Sequence, residues 1–187
     1  MAPQTATRMT YEEFMALPEE EGKHYELIEG ELVLNPASNL RHQTIVGNLY
    51  LALRVYFDQH RNGKVFVAPV DIVLSGENVL EPDIIAVLTD RAPRLQKKNV
   101  QGAPNIAVEV LSEGSRRKDE VTKRRLYERF GVDEYWIVDP AIDGVKVYRR
   151  SGDVFDLAIE INTDSGGSIT SPLLPGFALD VNDVFAE

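Results

Sequence analysis

The sequence predicts an α/β domain of the α+β kind, with a central mixed β-sheet flanked by helices and carrying extra β-hairpins. Three observations predict it. Apolar runs of strand type alternate with two helical stretches, near residues 40–60 and 115–130, the order of a sheet covered by helices. Asn105 to Ser112 sets Ile106, Val108 and Val110 on one face and Ala107, Glu109 and Leu111 on the other. Both faces are apolar apart from Glu109, as in a strand covered on both sides. Turn signals, Asp143-Gly144 above all, cut the C-terminal third into hairpins. No linker or repeat divides the 187 residues, so one domain spanning 1–187 is expected, with residues 1–9 disordered.

Each element has its own signal. Thr10-Tyr11-Glu12-Glu13 is a capping box, and it opens a short helix that Pro18 stops. HYELIEGELVLN reads as two alternating arms about Gly30, a hairpin or bulged strand pair. Ser38 or Asn39 caps a helix from about Leu40 to about His60. Its Ile45, Leu49, Ala52, Leu53 and Tyr56 recur at the helical period, and Gly63 suits its stop. Lys64 to Leu74 reads as strands interrupted at Pro69; after a turn at Ser75 to Asn78, Val79 to Leu88 reads as one strand. Asp90 to Gly102 is a loop or short helix. Ser115 is the expected cap of a helix that ends near Phe130, with Gly131 as its stop. Glu134 to Val138 is the next strand, with Trp136 in the core. Val145 to Arg149 and Val154 to Ile161 are further strands, and a Pro-rich loop leads to a closing strand or single helical turn.

Composition narrows the function. The absence of cysteine removes disulfide and thiolate chemistry and agrees with a reducing cytoplasm, the expected compartment. Residues 1–10 lack the apolar stretch of a signal peptide. The longest uncharged run, Ser165 to Leu179, is broken by Gly and Pro, so no membrane association is expected. A net charge of −10 argues against non-specific adhesion to nucleic acid. The charge is unevenly spread, however: Arg91 to Arg125 holds ten basic residues against four acidic ones.

Inside that basic stretch and just before it lie two carboxylates in apolar strand runs, Asp83 in EPDIIAV and Glu109 in NIAVEVLS. A buried carboxylate needs a cation, a metal or a proton as partner. If the two strands are neighbours, both carboxylates converge at one end. Two carboxylates with a main-chain carbonyl and waters suit Mg²⁺ or Mn²⁺. Such an ion polarises a phosphodiester and acidifies an attacking water, and Lys123 on the following helix can stabilise the charge that develops. Asp71, between Val70 and Ile72, is a further acid that can face the side of Asp83. Arg116, Arg117, Lys118 and Arg124 flank the carboxylates and suit a phosphate backbone.

YELIEGEL, the His42-Gln43 pair, EPDIIAV, GAPNIAVEVLS, the Asp119/Lys123/Tyr127 helix, GVDEYWIVDP and LLPGFALDVNDVF occur in that order over residues 10 to 187. This ordered set resembles the Uma-type family of restriction endonucleases, a branch of the PD-(D/E)XK nuclease superfamily. The resemblance implies a restriction-endonuclease-like fold with Asp83 and Glu109 as metal ligands. It also implies a nucleic-acid substrate, DNA being expected. The lysine that the superfamily carries two residues after the strand acid is Leu111 here, and Lys123 is its expected replacement. Glu31 or Glu26 is the early acid that would complete such a site, and His42 and Tyr127 match family positions. A homodimer is expected from the task of cutting two strands. Two other readings stay open: a nuclease fold that only binds or regulates, and a hydrolase of a small phosphorylated substrate.

Overall fold

The computed structural model describes residues 8–18, 20–35 and 38–187. The expected disorder of residues 1–9 falls, for 1–7, outside the described residues; Met9 is placed, its N–H donating to the Gly30 carbonyl at 2.9 Å. The capping box forms as predicted. The Thr10 hydroxyl accepts from Glu13 N–H and the Glu13 carboxylate accepts from Thr10 N–H, starting α1 (Tyr11–Met15). The arms about Gly30 become β1 (His24–Ile28) and β2 (Glu31–Asn35), with Ile28 opposite Glu31. The two turn residues, Glu29 and Gly30, have φ of 52° and 79°, the backbone of a two-residue type I′ hairpin.

Asn39, rather than Ser38, caps α2 (Leu40–His60), its side chain accepting from His42 N–H at 2.9 Å. Ile45, Leu49, Leu53 and Tyr56 are buried along it. The helix stops at Arg61, left-handed at φ 53°, and not at Gly63. Gly63 opens β3 (Gly63–Val67) and is needed for closeness: a Cβ there would stand 2.7 Å from both the Val87 carbonyl oxygen and the Phe57 ring. Gly63→Ala is therefore expected to lower the unfolding free energy by about 1–3 kcal/mol, the cost of overpacking, as read by urea denaturation.

The apolar run Val79 to Leu88 is not one strand. It divides into β5 (Asn78–Leu80) and β6 (Ile84–Leu88), because Pro82 has no N–H to continue a ladder. Likewise β3 and β4 (Asp71–Ser75) are separated by Ala68-Pro69. β5 pairs with β1 and β4 with β5, whereas β3 and β6 pair with each other, so at each break the chain passes from one sheet to the other. Asp90 to Gly102 supplies a 3-10 turn at Thr89–Arg94 and β7 (Asn99–Gln101), parallel to β4.

β8 (Ile106–Val110) and β9 (Glu134–Asp139) run parallel. Their crossover is a π-helical turn, Lys118–Lys123, running into α3 (Arg124–Phe130), which Gly131 ends at φ 87°. Ser115 does not cap it; its hydroxyl pairs with Ser112. β10 (Gly144–Ser151) and β11 (Val154–Asn162) form the long hairpin, followed by β12 (Ser168–Thr170), β13 (Ala178–Asp180) and α4 (Val181–Phe185).

The strands make a central mixed sheet of order β11-β10-β9-β8-β6-β3, a second mixed sheet β2-β1-β5-β4-β7, and the ribbon β12-β13. One core lies between the central sheet and α2 and α4, around Leu49, Val108, Trp136 and Val184. The other lies on the opposite face, between α3 and the second sheet, around Leu80, Ala107, Leu126 and Tyr135. β8 is buried along its whole length, as its two apolar faces predict. Among the described residues no helix is long and apolar enough to cross a membrane.

Candidate active site

The passage from β5 to β6 and the end of β8 bring the two predicted carboxylates together. β6 and β8 are antiparallel neighbours with Ile84 opposite Val108, so Asp83 emerges beside the C-terminal end of β8. Its Oδ2 accepts the Val110 N–H at 2.7 Å, one residue past Glu109. Both carboxylates border a cleft of about 640 Å³, walled by the first turn of α2, the passages between the sheets and the π-helical turn.

Lys123 enters this cleft from the helix. Its Nζ lies 2.8 Å from Glu109 Oε1, 2.7 Å from Glu26 Oε1 and 3.5 Å from Asp119 Oδ1. Leu111, at the strand position where a lysine is absent, is packed in the second core. The Tyr127 hydroxyl, one helical turn on, also donates to Glu109 Oε1, at 2.8 Å. The crossover thus presents Asp119, Lys123 and Tyr127 along one face, the lysine at its wide π turn, a helical irregularity that often marks functional sites.

Of the two early acids, Glu26 joins the cluster. It is fully buried and accepts from Lys123, from Lys118 Nζ at 3.0 Å and from the Glu81 N–H at 2.9 Å. Glu31 sits exposed at the hairpin end, opposite Ile28. His42 stands in the first turn of α2, with Nε2 3.4 Å from Asp83 Oδ2 and Nδ1 without a partner. Asp71 starts β4 opposite Asn99 and is half-buried outside the cleft wall.

The basic residues separate. Lys118 points inward, to Glu26 and to Asn35 Oδ1 at 2.7 Å. Arg116 borders the cleft and grips Asp139 through two 2.7 Å bonds. The Arg124 guanidinium lies over the Tyr148 ring, 5.0 Å from its centroid and outside the cleft. Arg117 is exposed and has no ion pair among the described residues.

Four carboxylates (Glu26, Asp83, Glu109, Asp119) therefore meet two ammoniums. Burial lowers the affinity of Lys123 for its proton, but Glu109, Glu26 and Asp119 outweigh it, and the ammonium is held well above its ordinary pKa. Burial raises Glu26 too, yet Lys123 and Lys118 bring it below its ordinary value. Glu109 is left with the deficit. Burial pushes its carboxyl well up despite Lys123, and the charges of Asp119, Asp83 and Glu26 add to the rise. Asp119 is raised by burial as well. Burial lowers His42, but its bond to Asp83 and the charge there leave it raised.

A divalent cation fits this arrangement. The bonds to Glu109 fall on Oε1 and those to Asp83 on Oδ2, leaving Glu109 Oε2 and Asp83 Oδ1 free among the described residues. No three acidic or histidine side chains among the described residues converge as a preformed cage. Mg²⁺ does not need one, since it takes one or two carboxylates and keeps water and phosphate oxygens for the rest. The excess of carboxylates over ammoniums is the charge such an ion would neutralise.

The inward role of Lys118 and the entry of Asp119 into the cluster are not evident from charge counting. The available signal was spacing: Asp119 and Lys123 are four apart, on one helix face.

The family model Uma2, described as "Putative restriction endonuclease", matches residues 11–182. The crystal structure of "a putative nuclease" from Anabaena variabilis has the same fold, with a TM-score of 0.79 over 95% of this chain and 98% of that one, at 22% identity. No curated protein matches the chain. With nearly all of its length matched, and with a restriction-endonuclease-like fold around the cleft, the chain belongs to the Uma2 family, whose description is "Putative restriction endonuclease".

Proposed function

We propose that the chain is a divalent-cation-dependent endonuclease that hydrolyses DNA phosphodiester bonds. Asp83 and Glu109 hold Mg²⁺ or Mn²⁺, and Lys123 faces the attacked phosphate. The observation that carries this reading is the 2.8 Å contact of Lys123 Nζ with Glu109, on a cleft that Asp83 also borders. An ammonium kept charged by three carboxylates has no lone pair. It acts as a hydrogen-bond donor and a fixed positive charge where negative charge develops on the phosphate. Tyr127 holds Glu109 Oε1 in place, and His42 contacts Asp83 from the opposite wall. The ion supplies Lewis acidity and lowers the pKa of water. Arg117 is the basic candidate for the DNA backbone; Arg116 borders the cleft but is held by Asp139, and Lys118 and Arg124 are likewise occupied within the chain. Two copies would serve two strands, so the active unit in this reading is a homodimer, in the cytoplasm that a cysteine-free chain suits.

Supercoiled plasmid incubated with the purified protein and Mg²⁺ or Mn²⁺ is expected to be nicked. Asp83→Ala should slow nicking on the order of 10²–10³-fold, the effect of removing one electrostatic stabiliser. Nicking by Asp83→Ala at the wild-type rate would rule out this site. The net charge of −10 and the internal pairing of the basic segment favour one second reading, a binding module without turnover. That reading gains if the wild type binds Mn²⁺ and leaves DNA and RNA intact.

A further inference from the structure

Hydrolysis at this cleft requires a group to take the proton of the attacking water, and the surrounding residues narrow the choice. Lys123 is an ammonium and the Tyr127 hydroxyl donates to Glu109, so neither accepts. Glu26 is enclosed, with one oxygen taken by Lys123 and the Glu81 N–H and the other by Lys118. Asp83 and Glu109 each have one oxygen bonded and one left for the ion. His42 presents Nε2 to Asp83, and its Nδ1, partnerless among the described residues, is the rival acceptor that the His42→Asn variant below tests.

Asp119 differs from the other carboxylates. Its Oδ1 is the one buried carboxylate oxygen among the described residues without a hydrogen-bond partner. Asp119 borders the cleft, and that oxygen lies 3.5 Å from Lys123 Nζ. An unsatisfied buried acceptor is destabilising, and such groups call for a functional explanation. We propose that Asp119 Oδ1 accepts the proton of the attacking water, which Lys123 Nζ orients. The inference rests on the nuclease reading above and adds a catalytic residue to it.

The step balances. The water oxygen forms the new bond to phosphorus and its proton passes to Asp119 Oδ1. The bond from phosphorus to the leaving sugar oxygen breaks, with its electron pair, and solvent protonates that oxygen. Burial raises the basicity of Asp119 in the direction the role needs. The charged and titratable groups around it are Lys118 and Lys123 on its own helix, Glu26 from β1, Glu109 from β8, His42 from α2 and Tyr135 from β9.

Asp119→Asn keeps the shape and removes the acceptor. Its kcat should fall on the order of 10²–10⁴-fold. KM and the Mn²⁺ affinity read by titration calorimetry should stay at wild-type values. Its rate should go on climbing with pH, as hydroxide replaces the lost base, where the wild type rises only to a plateau as the base ionises. Asp119→Ala, with and without formate, is the second variant, and formate should restore part of its rate. A wild-type kcat in Asp119→Asn, a parallel loss of Mn²⁺ affinity, or failure of formate to rescue would each overturn the assignment. So would an acidic limb of the wild-type profile that His42→Asn removes and Asp119→Asn leaves at its midpoint. If the wild type itself does not cut, the nuclease reading fails and this inference with it. A cutting wild type with an equally active Asp119→Asn removes the inference alone.

Discussion

Lys123→Met is expected to be the most destabilising single substitution in the chain, costing about 3–5 kcal/mol at pH 8 in urea denaturation. The side chain is 3% exposed and its ammonium lies within 3.5 Å of Glu26, Glu109 and Asp119, all buried. Removing it leaves three carboxylates facing one another, with Lys118 as the nearest cation, on Glu26 alone. Such carboxylates relieve the repulsion by taking up protons, so the deficit should shrink on acidification to pH 5. For the wild type the sign runs through Lys123 itself. Its pKa in the folded chain is above the ordinary 10.5, so its contribution is complete below 10.5 and is lost only as pH rises through the higher folded value. The ion pairs of Lys123 thus favour folding throughout the neutral range. Glu26→Gln in the Lys123→Met background should recover part of the loss, because the two changes share a partner and are not additive. A Lys123→Met protein as stable as the wild type at pH 8 would mean that the cluster does not form.

The carboxylates were legible in the sequence because each interrupts an apolar strand run, a local contradiction that survives without knowledge of the fold. The lysine was legible as a cation on the helix after the strand, and the family pattern added that it replaces the lysine missing at Leu111. Its arrival depends on a π turn and on helix packing against the sheet, neither of which leaves a mark in residue spacing. Glu26 and Glu31 could not be told apart by alternation. In the register that pairs Glu26 with Val33 and Ile28 with Glu31, both acids point to the same face. What separates them is distance from the turn, since the outer end of the hairpin lies in solvent. Basic residues misled in a different way. Their number around the site suggested a phosphate surface, but a charge count cannot say that Lys118 points inward or that Arg124 lies over Tyr148. Pro82 did mark the break between β5 and β6, although the continuous apolar run around it read as one strand.

Glu109→Gln should abolish catalysis and at the same time raise the melting temperature of the metal-free protein. The loss of cutting is expected on the order of 10²–10³-fold or more, since the change removes a ligand charge beside the attacked phosphate. The gain in stability follows from the sign of the Glu109 shift. Burial lifts its folded pKa well above 4.5, so its protonated form favours folding: that stability is complete below 4.5 and is lost as pH rises through the folded value. Glutamine is neutral at every pH and retains an oxygen for the Lys123 and Tyr127 donors. Lys123 still has Glu26 at 2.7 Å and Asp119 at 3.5 Å, so the ammonium is not left alone. At pH 8 the rise should be about 2–4 °C, which is what ~1 kcal/mol gives in a chain of this length. At pH 4, where the wild-type carboxyl is protonated too, the two proteins should melt together. Saturating Mn²⁺ should reverse the order at pH 8, because ligand binding to the folded state stabilises only the protein that retains the site. A Glu109→Gln protein less stable than the wild type at pH 8 without metal would place Glu109 as an ordinary ion-pair partner of Lys123, and the carboxylate excess would no longer argue for a cation.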